Sequence, residues 1–352
     1  MSILKQTQFQ KVEDSGRPSV HQGGFTLVEL MIAMVLGLVI VGGVVSVFLA
    51  NKQSYRTNEA LSQVQDHGRT AFEFLARDIR MAGLNGCVNN GRVANVLNDG
   101  PAAGGSEWYA DFSNALRGYD ENETDPAVTT GTGVAERVNG TDSIQLMGVD
   151  GSGFSVESHN PTSANFKINE ATTDFADGDI VVVCDPDHAA IMQITNYNSS
   201  NVTVVHNSGT GDPGNCSKGL GFPTDCSSTN GNAYQFGPNS QIAKLSAGDW
   251  YIGNNPEGGQ SLYRVGVSNL GGVPTEVPAE MVRNVTDMQI TYHQAGTNTF
   301  VDADAIGAAN WAQVDSARVE LSLQSEMNRV TTDGQQVVRS MAMTIAIRNR
   351  VN

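Results

Sequence analysis

The sequence predicts an α+β protein in which one long N-terminal helix, membrane-spanning in its first half, packs on an antiparallel β-sheet with an enlarged loop-rich β region. Three observations carry this. Residues 25–50 read FTLVELMIAMVLGLVIVGGVVSVFLA, with Glu29 as the only charge. Residues 51–82 continue at helical spacing and contain no proline. From residue 88 onward the pattern changes to short alternating runs separated by Gly, Asn and Asp, as strands and turns require.

Composition sets the surroundings. The 352-residue chain carries 21 Lys and Arg against 37 Asp and Glu, a net charge of −16, so most of its surface repels a phosphate backbone and no nucleic-acid partner is expected. Only 16% of residues are charged and 38 are glycine, which excludes a coiled-coil rod and a disordered polyelectrolyte. The mean hydropathy of −0.23 is that of a soluble protein, because the apolar residues are concentrated in one place.

At a rise of about 1.5 Å per residue, the run from Phe25 to Ala50 is about 39 Å long, more than the roughly 30 Å hydrocarbon core of a bilayer. A buried core helix would show a polar stripe, and a secretory signal has a shorter apolar region with a small-x-small site after it. Neither fits. The polar residues 1–24 carry Lys5, Lys11 and Arg17 against Glu13 and Asp14, which suits retention in the cytoplasm, although Lys52, Arg56 and Arg69 follow on the far side. A carboxylate within an apolar segment is costly, and Glu29 is placed where that cost is least, in the first helical turn.

The motif Gly23-Gly24-Phe25-Thr26-Leu27-Val28-Glu29-Leu30 before an apolar helix resembles the class III leader of type IV pilins. That resemblance implies cleavage by a prepilin peptidase between Gly24 and Phe25 and N-methylation of Phe25. It also implies a role for Glu29 as the carboxylate that neutralises the N-terminal amine of a neighbouring subunit in filament assembly. Glu29 lies four residues from Phe25, one turn away on the same face. The mature chain would carry one more negative charge than the precursor. Ala33 and Gly37, then Gly42, Ser46 and Ala50, recur at a spacing of four, which lets helices approach closely in lipid. Many major pilins carry a proline near the position of Ser46; this chain has none between Phe25 and Ala50.

In residues 51–82, Leu61, Val64, Phe72, Leu75 and Ile79 recur at helical spacing, with Gly68 between Val64 and Phe72. One helix is expected from Phe25 to Met81, ending at the Gly-Leu-Asn-Gly of residues 83–86. The segment Phe72–Gly83 with Asn85-Gly86-Cys87, and the far C-terminus with Ile347-Arg348-Asn349-Arg350, resembles minor pilins of the PilW family. The likeness recurs near Cys184 and over residues 214–263 and is thin over residues 88–140. The domains expected are residues 1–24 as a cleaved leader, 25–50 as the transmembrane half of the helix, 51–83 as its amphipathic half and 84–352 as a β-rich pilin domain.

Residues 94–135 show no period and read as a long surface excursion. Strands are expected at Ser143–Gly148, Ile180–Cys184, Ala190–Thr195, Val202–Val205, Ser261–Val265 and Met281–His293. The C-terminal pair, Arg318–Leu323 and Met341–Ile347, is clearest and forms a hairpin through Thr332-Asp333-Gly334, packed on the outer half of the helix.

The four cysteines, an even number in an oxidising compartment, allow three pairings. Cys87 with Cys184 and Cys216 with Cys226 is favoured: the second closes a short loop rich in Gly and Pro, and the first ties the helix end to a central strand. No C-x-x-C supports zinc. No catalytic motif occurs, the six histidines are scattered, and no enzyme activity is expected. No cofactor is expected either; Asp177/Asp179, Asp185/Asp187 and Asp302/Asp304 are the candidate calcium contacts, none matches the EF-hand spacing, and turn carboxylates are the favoured reading.

The resemblance implies a minor pilin that is anchored in the inner membrane by a single pass, has a periplasmic domain and is incorporated at or near the tip of a type IV pilus. There it would prime assembly and contribute to adhesion or motility. Its partners would be other minor pilins, the major pilin, the prepilin peptidase, the inner-membrane assembly platform and membrane lipid. The alternatives are a minor pseudopilin of a type II secretion system, a membrane-anchored adhesin or ligand-binding protein, and a membrane-anchored periplasmic enzyme.

Overall fold

The computed structural model describes residues 24–84, 86–87, 92–112, 115–331, 333–348 and 350. The expected leader up to Gly23, and Asn85, Thr332 and Asn349 of the motifs above, lie outside them. The chain divides into two compact units, one reaching Tyr55 and the other running from Arg56.

The single α-helix of the described residues, α1 (Leu27–Met81), contributes to both units. In the first unit its apolar side chains are exposed, Leu38 at 77% and Ile40 at 67%, and the segment is long and apolar enough to cross a membrane. In the second unit the expected stripe is buried at Val64, Gly68, Phe72, Leu75 and Ile79, joined by Ala60, Ala71 and Ala76, while Leu61 is only partly buried. The helix stops where Gly83 adopts φ 73°, a left-handed conformation that glycine takes without strain, and its N–H turns to Met147 O at 2.7 Å.

The strands are β1 (Val93–Asn95), β2 (Leu116–Tyr119), β3 (Ser143–Asn160), β4 (Asn165–Ile168), β5 (Ile180–Cys184), β6 (Ala189–Gln193), β7 (Asn196–Asn198) and β8 (Thr203–Val205). They are followed by β9 (Gln241–Asn254), β10 (Gln260–Leu270), β11 (Val273–Arg283), β12 (Val285–Gln294), β13 (Phe300–Val301), β14 (Val314–Gln324) and β15 (Val338–Ala346). An 11-stranded sheet runs β1-β6-β5-β9-β3-β4-β8-β7, with β10 joined to β9, β11 to β10 and β2 to β3. A second sheet has the order β13-β12-β14-β15. All pairings are antiparallel except β1 with β6.

Period-2 alternation gives β3 and β9 two buried faces. Ile144, Leu146, Trp250 and Ile252 face the core that holds Phe72, Leu75 and Ile79 of α1, together with Val319, Leu321 and Leu323 of β14. Met147, Val149 and Tyr251 face a second core formed with Leu97, Trp108, Tyr109 and Ala127. This corrects the reading of residues 94–135: the segment contains two strands and buried aromatics and covers a sheet face. Its lack of period reflects a lid built from single anchoring side chains.

Several strand boundaries also shift. β9, which pairs with β3, β5 and β10, was not expected, because Lys244, Gly248 and Asp249 interrupt its alternation. β11 was missed because it contains Pro274 and Pro278. The expected strand Met281–His293 is broken at Asn284, whose φ of 62° separates β11 from β12. β3 extends well past Gly148 by a register shift between Asp150 and Phe154 that takes in Gly151 and Gly153. The β14–β15 hairpin packs on α1 through Leu321, Leu323 and Met341.

Candidate processing and assembly site

At the start of α1, Thr26 occupies the position before the first helical residue and Glu29 the third helical position. The Glu29 N–H donates to Thr26 Oγ1 at 3.2 Å, while Thr26 N–H and Oγ1–H donate to Glu29 Oε2 at 3.0 Å. This reciprocal capping box satisfies donors that the first turn otherwise leaves unpaired. It gives Glu29 a local partner that the sequence reading did not identify, although the Thr-x-x-Glu spacing was there to be read. One residue earlier, Phe25 is 89% exposed, and a Cβ built on Gly24 would meet nothing within 4 Å. The same holds at Gly37, Gly42 and Gly43, so no packing among the described residues requires glycine at these positions. Ser46 Oγ bonds back to Gly42 O at 2.8 Å, which satisfies its hydroxyl inside the apolar segment.

In the second unit, Asp78 near the end of α1 accepts from Trp250 Nε1 and from Arg264 Nε, both at 3.0 Å. This ion pair locks the helix to β9 and β10. It lies in a cleft of about 660 Å³ lined by Phe74, Arg77, Lys244 and Met281 among others. The disulfides are Cys87–Cys184, from the segment after α1 to β5, and Cys216–Cys226 across a local loop.

The structure brings together residues that the sequence left apart. His159, His188 and His206 share one aromatic cluster with Phe166, Tyr234 and Phe236. His159 Nε2 lies 3.2 Å from His206 Nε2, and burial lowers His159 to about 4 and His206 to about 3, so both are neutral. The acids Asp125, Asp142 and Asp249 are buried near Arg137, whose guanidinium donates to the carbonyls of Glu123 and Asp120 at 3.1 and 2.9 Å. Asp125 accepts from Ala127 N–H, Gln145 Nε2 and the Ser143 hydroxyl. Asp249 is fully buried and neither of its carboxyl oxygens has a hydrogen-bond partner among the described residues; burial first, and the charge of Asp125 second, push it well above the usual carboxylate range.

Asp179, Asp185 and Asp187 of the candidate calcium contacts have other partners. Asp179 is buried, paired with Lys244 at 2.8 Å, and accepts from Ala176 N–H and Asn269 Nδ2. The reading as a solvated turn residue is corrected for it. Asp185 caps the turn to His188 and Asp187 pairs with Arg92 at 3.0 Å. Among the described residues no group of three His, Cys, Asp or Glu could hold a metal ion.

A long apolar N-terminal helix with its own cap, continued into an α+β unit with a four-stranded antiparallel sheet on its outer half, defines a membrane-anchored protein of pilin type. Residues 20–45 match the prokaryotic N-terminal methylation motif and residues 249–349 match Type IV Pilus-assembly protein W. Each match covers part of the chain, and with the apolar helix they support a PilW-like minor pilin of type IV pilus assembly, anchored in the inner membrane with a periplasmic domain and incorporated into the pilus. The second match runs from the second half of β9 to just past β15. No curated relative matches the chain.

Proposed function

We propose that the chain is cut between Gly24 and Phe25, N-methylated on Phe25, and taken into the priming or tip complex of the pilus, where Glu29 neutralises the amine of an adjacent subunit. The observation that carries this reading is the absence of any folding reason for glycine at position 24, immediately before an exposed Phe25 and a self-contained helix start. A residue the fold does not need, within a matched methylation motif, is explained by what an outside enzyme must recognise. The open faces at Gly37, Gly42 and Gly43 support close packing of this helix on other pilin helices.

The role is structural rather than catalytic, and we assign no cofactor. The partners are other minor pilins, the major pilin, the prepilin peptidase and the assembly platform, and the globular unit contributes to adhesion or motility through them. Mass spectrometry of sheared pili tests the whole reading. It should find the chain beginning at methylated Phe25, and a Gly24→Val variant should accumulate at precursor size. A Gly24→Val chain of mature size, in normal pili, would falsify it.

A further inference from the structure

β15 leaves one edge of the four-stranded sheet open. Ile347 N–H donates to Asp315 O at 2.8 Å and Ser325 N–H to Val337 O at 2.9 Å, on the register that pairs Ser316 with Ala346 and Gln324 with Val338. Antiparallel pairing alternates, so the backbone groups of the odd-numbered residues of β15 face β14, and those of Val338, Ser340, Ala342, Thr344 and Ala346 face outward. All five residues are exposed, and their N–H groups find no acceptor among the described residues. Beyond Ala346 the chain turns and Arg348 N–H bonds to Arg80 O at 3.2 Å, which ends the open ladder.

The other edges are short or guarded. Leu270 and Val273 close the Gly271-Gly272 loop, so residues 274, 276, 278 and 280 of β11 face outward. Two of these are Pro274 and Pro278, without an N–H, and two are Glu276 and Glu280, the usual means of blocking an edge. β13 has two residues, β7 and β1 have three, and Asn95 N–H of β1 is taken by Thr224 Oγ1 at 2.9 Å. β15 has no proline, no glycine and one charge, Arg339. The charges at this end of the chain are Arg339 within the strand and Arg348 just beyond it, with no acid from Gly334 to Asn352 in a protein of net charge −16; Arg350 turns inward and donates to Trp311 O at 2.6 Å, and Glu320 of β14 accepts from the Ser340 hydroxyl.

We propose that β15 is a docking edge on which an extended, acidic segment of a different pilus subunit adds as a further strand. Main-chain hydrogen bonds supply the attraction, and the small side chains Ser340, Ala342, Thr344 and Ala346 leave room for the incoming backbone. A second copy of this chain is the poorer occupant, because its own open edge is also basic and its other long edge is blocked. The proposal rests on the minor-pilin reading.

The test uses the full chain in cells that assemble the pilus, with a photoreactive residue placed in turn at Ser340, Ala342 and Thr344, and at Val277 of β11 as control. Mass spectrometry of the cross-linked material from membranes and sheared pili should identify an acidic segment of another pilus subunit. The partner position should step by two residues for each two-residue step of the probe, with a yield at least about tenfold above Val277. Ala342→Pro, which removes an outward N–H, should lower the Thr344 cross-link at least about tenfold. Arg339→Glu, which leaves the backbone untouched, should lower it several-fold, so a poorly folded Ala342→Pro chain does not decide the matter. Cross-links only to a second copy, cross-links that do not step, or none at all from a processed chain present in pili would overturn edge docking alone. A chain neither processed nor found in pili would overturn the minor-pilin reading and the docking edge together.

Discussion

Gly68 of α1 faces Met341 of β15 so closely that a Cβ on the glycine would lie 2.6 Å from Met341 Sδ and 3.6 Å from Leu323 Cδ1. The side chains of Met341 and Leu323 meet the helix here with no side chain on the helix side. Glycine within a helix costs about 1 kcal/mol relative to alanine, and the close approach of the hairpin offsets that cost. Gly68→Leu should destabilise the solubilised chain by about 1–3 kcal/mol through overpacking. Gly68→Ala should be close to neutral, because the Met341 thioether can swing aside. Adding Met341→Ala should restore part of the stability of Gly68→Leu. Thermal melting of the three variants checks this, and equal melting of Gly68→Leu and wild type would contradict the contact.

Charge and capping at Glu29 can be separated. Glutamine at the third helical position still closes a capping box. Glu29→Gln should therefore leave helix content and membrane insertion unchanged and abolish incorporation into pili. Circular dichroism with immunoblotting of sheared pili reads both; normal incorporation would show that Glu29 serves the helix alone.

Asp142 ties the segment before β3 to β12 by accepting from Ile290 N–H at 2.7 Å, and burial raises it from 3.8 to about 7. Between these values the folded chain holds a proton that the unfolded chain has lost, so this group's contribution to stability falls as pH rises from about 4 to about 7 and is flat above. The full effect is at most about 4 kcal/mol. Asp249 acts in the same direction. Asp142→Asn keeps the acceptor for Ile290 and should flatten the dependence of melting temperature on pH over that interval; an unchanged slope would assign it elsewhere.

The two disulfides close loops of very different length, with sequence separations of 97 and 10. On loop entropy, replacing Cys87 and Cys184 by serine should cost about 5 kcal/mol, and replacing Cys216 and Cys226 about 3 kcal/mol. Chemical denaturation of the two double variants ranks them, and the reverse order would mean that strain or residual unfolded structure dominates.

The apolar run, the helical stripe from Val64 to Ile79 and the β14–β15 hairpin were legible because each follows one period over many residues. β9 was not, although it pairs with three other strands. Asp249 interrupts its apolar alternation, and its surroundings, Asp125 and Arg137, come from segments far away in sequence. Gly248 is permitted because the Arg264 guanidinium lies within 3 Å of where its Cβ would be. The same limit hid the histidine cluster, since residues 159, 188 and 206 meet only after β3, β5, β6 and β8 are in place. At the candidate processing site the motif is plain in the sequence, and so is the Thr-x-x-Glu spacing that lets Glu29 pair with Thr26.

The cap at Thr26 lies entirely on the retained side of the proposed cut. Every group that fixes the first turn of α1 is present before and after the leader is removed. Maturation would then alter the electrostatic signature of the chain end, a new ammonium beside Phe25, while its shape stays constant. A filament built this way would distinguish finished subunits from precursors by charge.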